Sequence, residues 1–284
     1  MKRKLGNTGI KVNAIGFGEW QLSNIDRPSW DKAIDVIRQA VEAGVDFIDT
    51  ADSYALDDNE FGHGERLVKA ALDSFDSAHV TVATKVGATR PAGQWGRNGH
   101  PEWIKKACEA SLSRLGKDSI FLYQLHGIDE NIPFEDTLGA LANLKSEGKV
   151  QHLGLSNVDA KQLALAQSIT RIETVQNACN PWRQEDVKSG LIEECERSDV
   201  TYLPFYPVGG KDQHQALSSQ SVLLPIAKKY QTSTYCVLLN WLLRTGQNII
   251  PIPGASRASS ILDSTKAVKF KLDDEELVLI GALA

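Results

Sequence analysis

Val45-Asp46-Phe47-Ile48-Asp49-Thr50-Ala51-Asp52-Ser53-Tyr54 opens as an apolar run and ends in a cluster of ionisable and hydroxyl groups. Ala43-Gly44 before it closes a helical pattern, and Gly62 and Gly64 after it precede another. An apolar run set this way between two helices reads as a buried strand. A polar cluster at the carboxyl end of such a strand is where parallel α/β proteins build their sites. Asp49 and Tyr54 stand five positions apart across that turn. The same two residues would also serve as a loop cap and a packed amphipathic aromatic, so this stretch by itself leaves their role open.

Outward from this stretch, strand and helix alternate. Turn residues Gly6-Asn7-Thr8-Gly9 predict a β-hairpin over 2–12. Strands are expected over 12–17, 45–50, 80–86, 120–126, 150–155, 174–179, 202–208 and 248–253. Between them, apolar residues recur at helical spacing. Ala33, Ile34, Ile37, Ala40 and Val41 mark a helix over 30–43, and Leu67, Ala70 and Ala71 a second. Further helices carry Ile104, Ala107, Cys108, Leu112 and Leu115, then Leu138, Leu141 and Leu144. The rest fall over 163–169, 185–198, 222–243 (with a break near Thr232-Ser233), 259–268 and 274–283. Residues 87–99, rich in Gly, Arg and Trp, read as a loop. Eight strands in strict alternation predict a closed (β/α)8 TIM barrel, with an N-terminal β-hairpin and a C-terminal helix, as one domain over 1–284. An open doubly wound sheet is the alternative. It is disfavoured because no G-x-G-x-x-G turn follows any predicted strand; Gly16-Phe17-Gly18 lacks the third glycine.

Composition narrows the function. With 284 residues and 42% hydrophobic content the chain can bury a large core, and a net charge of −5 offers no footprint for nucleic acid. Lys2-Arg3-Lys4 leads into Leu5-Gly6-Asn7, not an apolar core, so no secretory signal is read. No apolar run reaches the ~18 residues that span a bilayer; Val237 to Leu243 is interrupted by Asn240. Cys108, Cys179, Cys195 and Cys236 lack paired spacing, and Cys108 and Cys236 fall on apolar helix faces, which suits core thiols in a reducing, cytoplasmic setting. His63, His79, His100, His126, His152 and His214 are dispersed, so no metal site is expected.

Position makes the strongest case. Asp49, Lys85, His126 and Asn157 each close a different predicted strand, and Tyr54 follows one of them. In a closed barrel these ends converge on one face. A tyrosine titrates near ~10 and holds its proton at neutral pH. A lysine cation stabilises the phenolate left behind, an aspartate keeps that lysine charged, and a histidine donates a hydrogen bond to the reacting oxygen.

Asp49-Thr50-Ala51-Asp52-Ser53-Tyr54, Thr84-Lys85-Val86-Gly87 and Tyr123-Gln124-Leu125-His126 resemble the catalytic tetrad segments of the aldo-keto reductases. Gly154-Leu155-Ser156-Asn157, Val175-Gln176-Asn177 and Ile252-Pro253-Gly254 follow in the family's order. The resemblance implies an NADPH-dependent carbonyl reductase, with NADH also possible. Tyr54 would be the general acid, Lys85 and Asp49 would tune it, and His126 would orient the carbonyl. Ser156, Asn157 and Gln176 would hold the nicotinamide carboxamide. An aromatic of the segment carrying Phe205, Tyr206, Pro207, Val208 and Gly210 would stack on the ring, and alignment on the proline favours Phe205. Trp20 and Asp49 complete that end of the cofactor site. Gly254, Ser256, Arg257, Ser260, Asp263 and Ser264 are similar to the family's adenosine 2′-phosphate site, with Arg257 pairing the phosphate. Asp263-Ser264 stands where relatives often have Glu-Asn, and Ser260 where some carry arginine.

For substrate, Trp20, Trp95, Trp182 and Tyr206 are candidates to line the pocket beside Tyr54 and His126, since aromatic walls suit partly apolar carbonyl compounds. Each Trp would equally serve as core or rim packing. An open pocket for small or polar aldehydes is expected. Two segments, 175–181 and 204–210, resemble a bacterial subgroup that includes pyridoxal reductases. The expected partner is a small molecule, with no membrane or nucleic acid, and the chain a monomer or small homo-oligomer. Two rivals stand beside this reading. One is a redox-sensing regulatory subunit like the potassium-channel β subunits; the other is a Schiff-base lyase with Lys85 as nucleophile, which would need a neutral lysine.

Overall fold

Side chains two apart on a strand share a face, and this rule builds the interior. The computed structural model describes residues 1–210, 213, 217 and 220–283, so His214 lies outside the described residues. A seven-stranded parallel sheet runs in the order β11-β10-β9-β8-β5-β4-β3. Its strands are β3 (Phe17–Gly18), β4 (Phe47–Asp49), β5 (Thr81–Val86), β8 (Ile120–Leu125), β9 (Val150–Ser156), β10 (Ile172–Gln176) and β11 (Thr201–Tyr202). Phe47, Ala83 and Leu122 share an inner apolar cluster with Leu203, Ile250 and Ile252. Two residues further along the same strands stand Asp49, Lys85 and Gln124. The registers Lys85↔Gln124, Gln124↔Gly154 and Gly154↔Thr174 continue this polar tier around the sheet. Gly154 has no side chain, and Thr174 Oγ1 reaches across it to Gln124 Oε1 at 3.0 Å; a Cβ there would stand 2.1 Å from that hydroxyl.

The expected eighth strand, 248–253, closes the ring without forming a regular strand. Ile250 N–H donates to Tyr202 O at 2.9 Å and Ile252 N–H to Pro204 O at 3.3 Å on one side. On the other, Gly16 and Gly18 N–H donate to Pro251 O and Pro253 O at 2.9 and 3.1 Å. Residues alternate sides along a strand, so Pro251 and Pro253 would be the donors toward β3, and proline has none. The ladder there is one-way, and only the isolated bridges Gly18↔Gly254 and Tyr202↔Ile249 register. Pro204 cuts short the strand expected over 202–208 in the same manner.

The hairpin forms as expected, with β1 (Lys2–Lys4) antiparallel to β2 (Lys11–Asn13). It takes Val12 and Asn13 out of the first barrel strand, which starts instead at Phe17. Leu5 and Val12 from this hairpin join the inner apolar cluster, while buried Arg3 donates to the carbonyls of Gly246 at 2.8 Å and Leu243 at 2.5 Å.

Helices pack outside. These are α1 (Trp30–Glu42), α2 (His63–Leu72), α3 (Pro101–Leu115), α4 (Phe134–Ser146), α5 (Ala160–Ile169), α6 (Glu185–Lys188), α7 (Leu191–Arg197), α8 (Leu223–Lys229), α9 (Thr234–Thr245), α10 (Ala258–Ser264) and α11 (Asp274–Gly281). The helix expected over 185–198 is two pieces, broken at Ser189-Gly190. Ser233 caps α9, accepting from Cys236 N–H, at the break foreseen near it. Asp159 and Gln162 form a capping box on α5, and Asp273 and Glu276 another on α11. The 87–99 loop contains an unforeseen antiparallel pair, β6 (Ala88–Thr89) with β7 (Gly96–Arg97). All four cysteines are buried and free. No helix among the described residues is long and apolar enough to cross a membrane.

Candidate active site

A cavity of about 850 Å³ opens at the carboxyl ends of the strands. Trp20, Asp49, Tyr54, Trp95 and His126 line one stretch of it. Ser156, Asn157, Gln176, Phe205, Tyr206, Pro207, Val208 and Gly210 line another, and Gly254, Ser256, Arg257, Ser260, Asp263 and Ser264 a third. Two expected residues are not on the wall. Lys85 is fully buried beneath it. Trp182 is half-buried and packs against the largest core cluster, with its ring edge beside Gly209, next to the lining residues Val208 and Gly210.

Beneath the wall, Lys85 Nζ donates to Asp49 Oδ2 at 2.5 Å, Thr50 O at 3.0 Å and Tyr54 Oη at 2.8 Å. An ammonium has three donors, and all three are satisfied. Asp49 Oδ1 accepts from Gln124 Nε2 at 2.9 Å and Gln176 Nε2 at 2.8 Å. Residues from β4, β5, β8 and β10 thus converge on one carboxylate.

Above it, four rings close a cycle. Trp20 lies 5.2 Å from Tyr54, Tyr54 5.7 Å from His126, His126 5.6 Å from Trp95, and Trp95 5.4 Å from Trp20. The Arg90 guanidinium stacks 4.4 Å over Trp95. Ser53 Oγ lies 3.2 Å from His126 Nδ1.

Residues 14–284 match the family described as "Aldo/keto reductase family". The chain belongs to the aldo/keto reductase family. It is 30% identical to "Probable aldo-keto reductase 1" of Glycine max, over 96% of this chain and 86% of that protein. It is also 30% identical to "Uncharacterized oxidoreductase C215.11c" of Schizosaccharomyces pombe, over 93% and 84% respectively. Among solved structures, the thermostable aldo-keto reductase Tm1743, in complex with the inhibitor epalrestat, superposes with a TM-score of 0.84 at 27% identity, covering 100% of both chains. An aldo/keto reductase from Klebsiella pneumoniae, in complex with NADP and acetate, shares the fold at a TM-score of 0.81 and 24% identity, over 99% of this chain and 94% of that one.

In this aldo/keto reductase, burial decides the protonation states. Burial pushes the Tyr54 phenol well above its ordinary range, and the charges of Asp49 and Glu19 add to the effect, so the hydroxyl keeps its proton at neutral pH. Burial pulls Lys85 below the ordinary lysine value, opposed by the Asp49 carboxylate. Burial, then Lys85 and Arg97, hold His126 well below the ordinary histidine value, leaving the imidazole neutral.

Several residues of the candidate site escaped the sequence reading. Gln124 occupies the inward position between Leu122 and His126, where the two-residue alternation of that strand could have found it. Arg97 lines the cavity from β7. Glu19, fully buried, accepts from Ser23 Oγ and from Thr50 Oγ1 at 3.0 Å. Burial raises its carboxyl to about 7, against those hydrogen bonds and the pull of Lys85. Nothing in Gly18-Glu19-Trp20 signals this, because a glutamate before a tryptophan reads as a loop residue.

Proposed function

We propose that the chain reduces an aldehyde or ketone to an alcohol with NADPH, Tyr54 donating the proton to the carbonyl oxygen. The observation that carries this reading is the Lys85–Tyr54 hydrogen bond at 2.8 Å, set under a cavity that Tyr54 and His126 both line. A phenol pushed up by burial is a poor acid unless its anion is stabilised as it forms. The buried Lys85 ammonium is placed to do this, in a site where water screens little. Asp49 keeps the ammonium charged and fixed. In the tautomer in which Ser53 donates to Nδ1, the neutral His126 carries its proton on Nε2 and can donate to the substrate oxygen.

The residues present suit a nicotinamide dinucleotide. Asn157 donates from Nδ2 to His126 O at 2.9 Å and Ser156 Oγ at 3.0 Å, and Gln176 donates from Nε2 to Asp49. Their side-chain carbonyls have no donor among the described residues and suit the NH₂ of a carboxamide. Tyr206, 46% exposed, offers an aromatic face on the same wall, with Phe205 5.1 Å away. Arg257 supplies a guanidinium for a phosphate group. When bound, the reduced nicotinamide supplies hydride to the carbonyl carbon.

Lyase chemistry at Lys85 has less support: its amine is fully buried and all three donors are engaged. The test is NADPH oxidation against a panel of aldehydes, ketones, sugars and pyridoxal, with Tyr54→Phe as control. Absence of Tyr54-dependent turnover across the panel would end the reading.

A further inference from the structure

The charged side chains lining the cavity are Asp49, Asp263, Arg97 and Arg257, besides the neutral His126. Both acids are committed: Asp49 to Lys85 and two amides, Asp263 to the Ser233 hydroxyl, with Lys266 Nζ at 3.5 Å. Neither arginine has a carboxylate within ion-pair distance among the described residues. The reading above assigns Arg257 to the cofactor phosphate. Arg97 is left over.

Its position is built. β7 pairs with β6, and Asn98 N–H donates to Gly87 O at 2.9 Å, anchoring the segment to the end of β5. The guanidinium lies against Gly127, the residue after His126; a Cβ at that glycine would stand 2.7 Å from Arg97 Nε and 3.0 Å from Nη2. A bare backbone at 127 therefore admits the Arg97 cation beside the imidazole. Of its own donors, only Nη1 has a protein partner among the described residues, the adjacent Gly96 carbonyl at 3.2 Å. Asp129, the nearest acid in charge terms, is already held by Gly99 N–H at 3.0 Å, Asn131 N–H at 3.0 Å and Asn131 Nδ2 at 3.1 Å. Arg90, buried, stacks on Trp95 and donates to Leu56 O at 3.0 Å, behind the cavity wall.

We infer that Arg97 recognises an anionic group on the substrate, so that the favoured substrates are carbonyl compounds carrying a carboxylate. The inference rests on the reductase reading and names the substrate class of that site. A guanidinium pairs a carboxylate through charge-assisted, often bidentate, hydrogen bonds. At a partly solvated site such a bond corresponds to a preference of about ten- to a hundred-fold. The competing role is electrostatic tuning of His126, which would affect charged and uncharged substrates alike.

The test compares 3- and 4-formylbenzoate with 3- and 4-formylbenzamide, pairs matched in shape and differing in charge. The readout is kcat/KM with NADPH, in wild type, Arg97→Lys and Arg97→Glu. Arg97 is exposed and pairs in β7 through its backbone, so these changes spare the fold; thermal melting checks this. The inference predicts that at least one carboxylate exceeds its amide about ten-fold or more, by a margin that shrinks in high salt. That ratio should fall about ten-fold in Arg97→Glu and less in Arg97→Lys, mainly through KM. A ratio near one in wild type, or one that Arg97→Glu leaves unchanged, overturns the inference while the amides' turnover keeps the reductase reading. If none of the four is reduced, the wider panel decides the reductase reading, and quenching of tryptophan fluorescence by benzoate against benzamide decides for Arg97. Tighter benzoate binding lost in Arg97→Glu supports the anion site; equal binding overturns it.

Discussion

The Lys85 ammonium lies 2.8 Å from the Tyr54 hydroxyl and gives its two other N–H donors to Asp49 and the Thr50 carbonyl. This fixes the cation against the oxygen whose proton the proposed reduction would transfer. Tyr54→Phe keeps the ring and its 5.2 Å contact with Trp20 while removing the acid. Turnover should fall about 10²- to 10⁴-fold with cofactor affinity little changed. Single-turnover NADPH oxidation measures it, and a variant within a few-fold of wild type would contradict the assignment.

The Asp49–Lys85 pair is fully buried, so removing one partner strands the other. Asp49→Asn and Lys85→Met should each cost about 3–5 kcal/mol in urea denaturation. The double variant should cost clearly less than the sum, because no charge is then left unpaired. Additive losses would mean that the two side chains are not coupled.

Glu19 gives a pH dependence of definite sign. Its carboxyl is raised to about 7 in the folded chain from an ordinary 4.5, so the native state binds the extra proton between those values. Stability from this group is therefore intact below about pH 4.5 and falls as pH rises through about 7, by on the order of 3 kcal/mol at most. Glu19→Gln removes that fall. The stability difference between variant and wild type should climb over this window and level off above it; a flat difference would be the contrary result.

Arg257 lines the cavity without an acidic partner among the described residues. Arg257→Ala should cut the preference for NADPH over NADH about ten-fold or more, through KM for NADPH. An unchanged preference would remove Arg257 from the phosphate site.

Much of this arrangement was legible in the chain because it obeys alternation. Phe47/Asp49 and Ala83/Lys85 put an apolar and then a polar residue on one face, and the strand ends could be read as a single site; the same pattern at Leu122/Gln124 was missed. The role of Trp182 was not legible, since an aromatic beyond a strand packs equally well inward or outward. Proline hid the closing strand: 248–253 has the right residues, but its missing donors break the regular ladder. Arg97 was invisible within a Gly/Arg/Trp-rich loop because the β6–β7 pair is only two residues long on each side. Glu19 depends on Ser23, on its own turn, and on Thr50, which comes beside it only when β3 and β4 pair.

The proline-bearing closure has a dynamic consequence. Two amides, those of Gly16 and Gly18, carry the hydrogen bonds on the β3 side, whereas β8 and β9 share a five-residue register. Native-state deuterium exchange should release these glycine protons well before those of Leu122 and Leu153. The cylinder would then breathe along one predetermined line, beside Trp20 and Gly254.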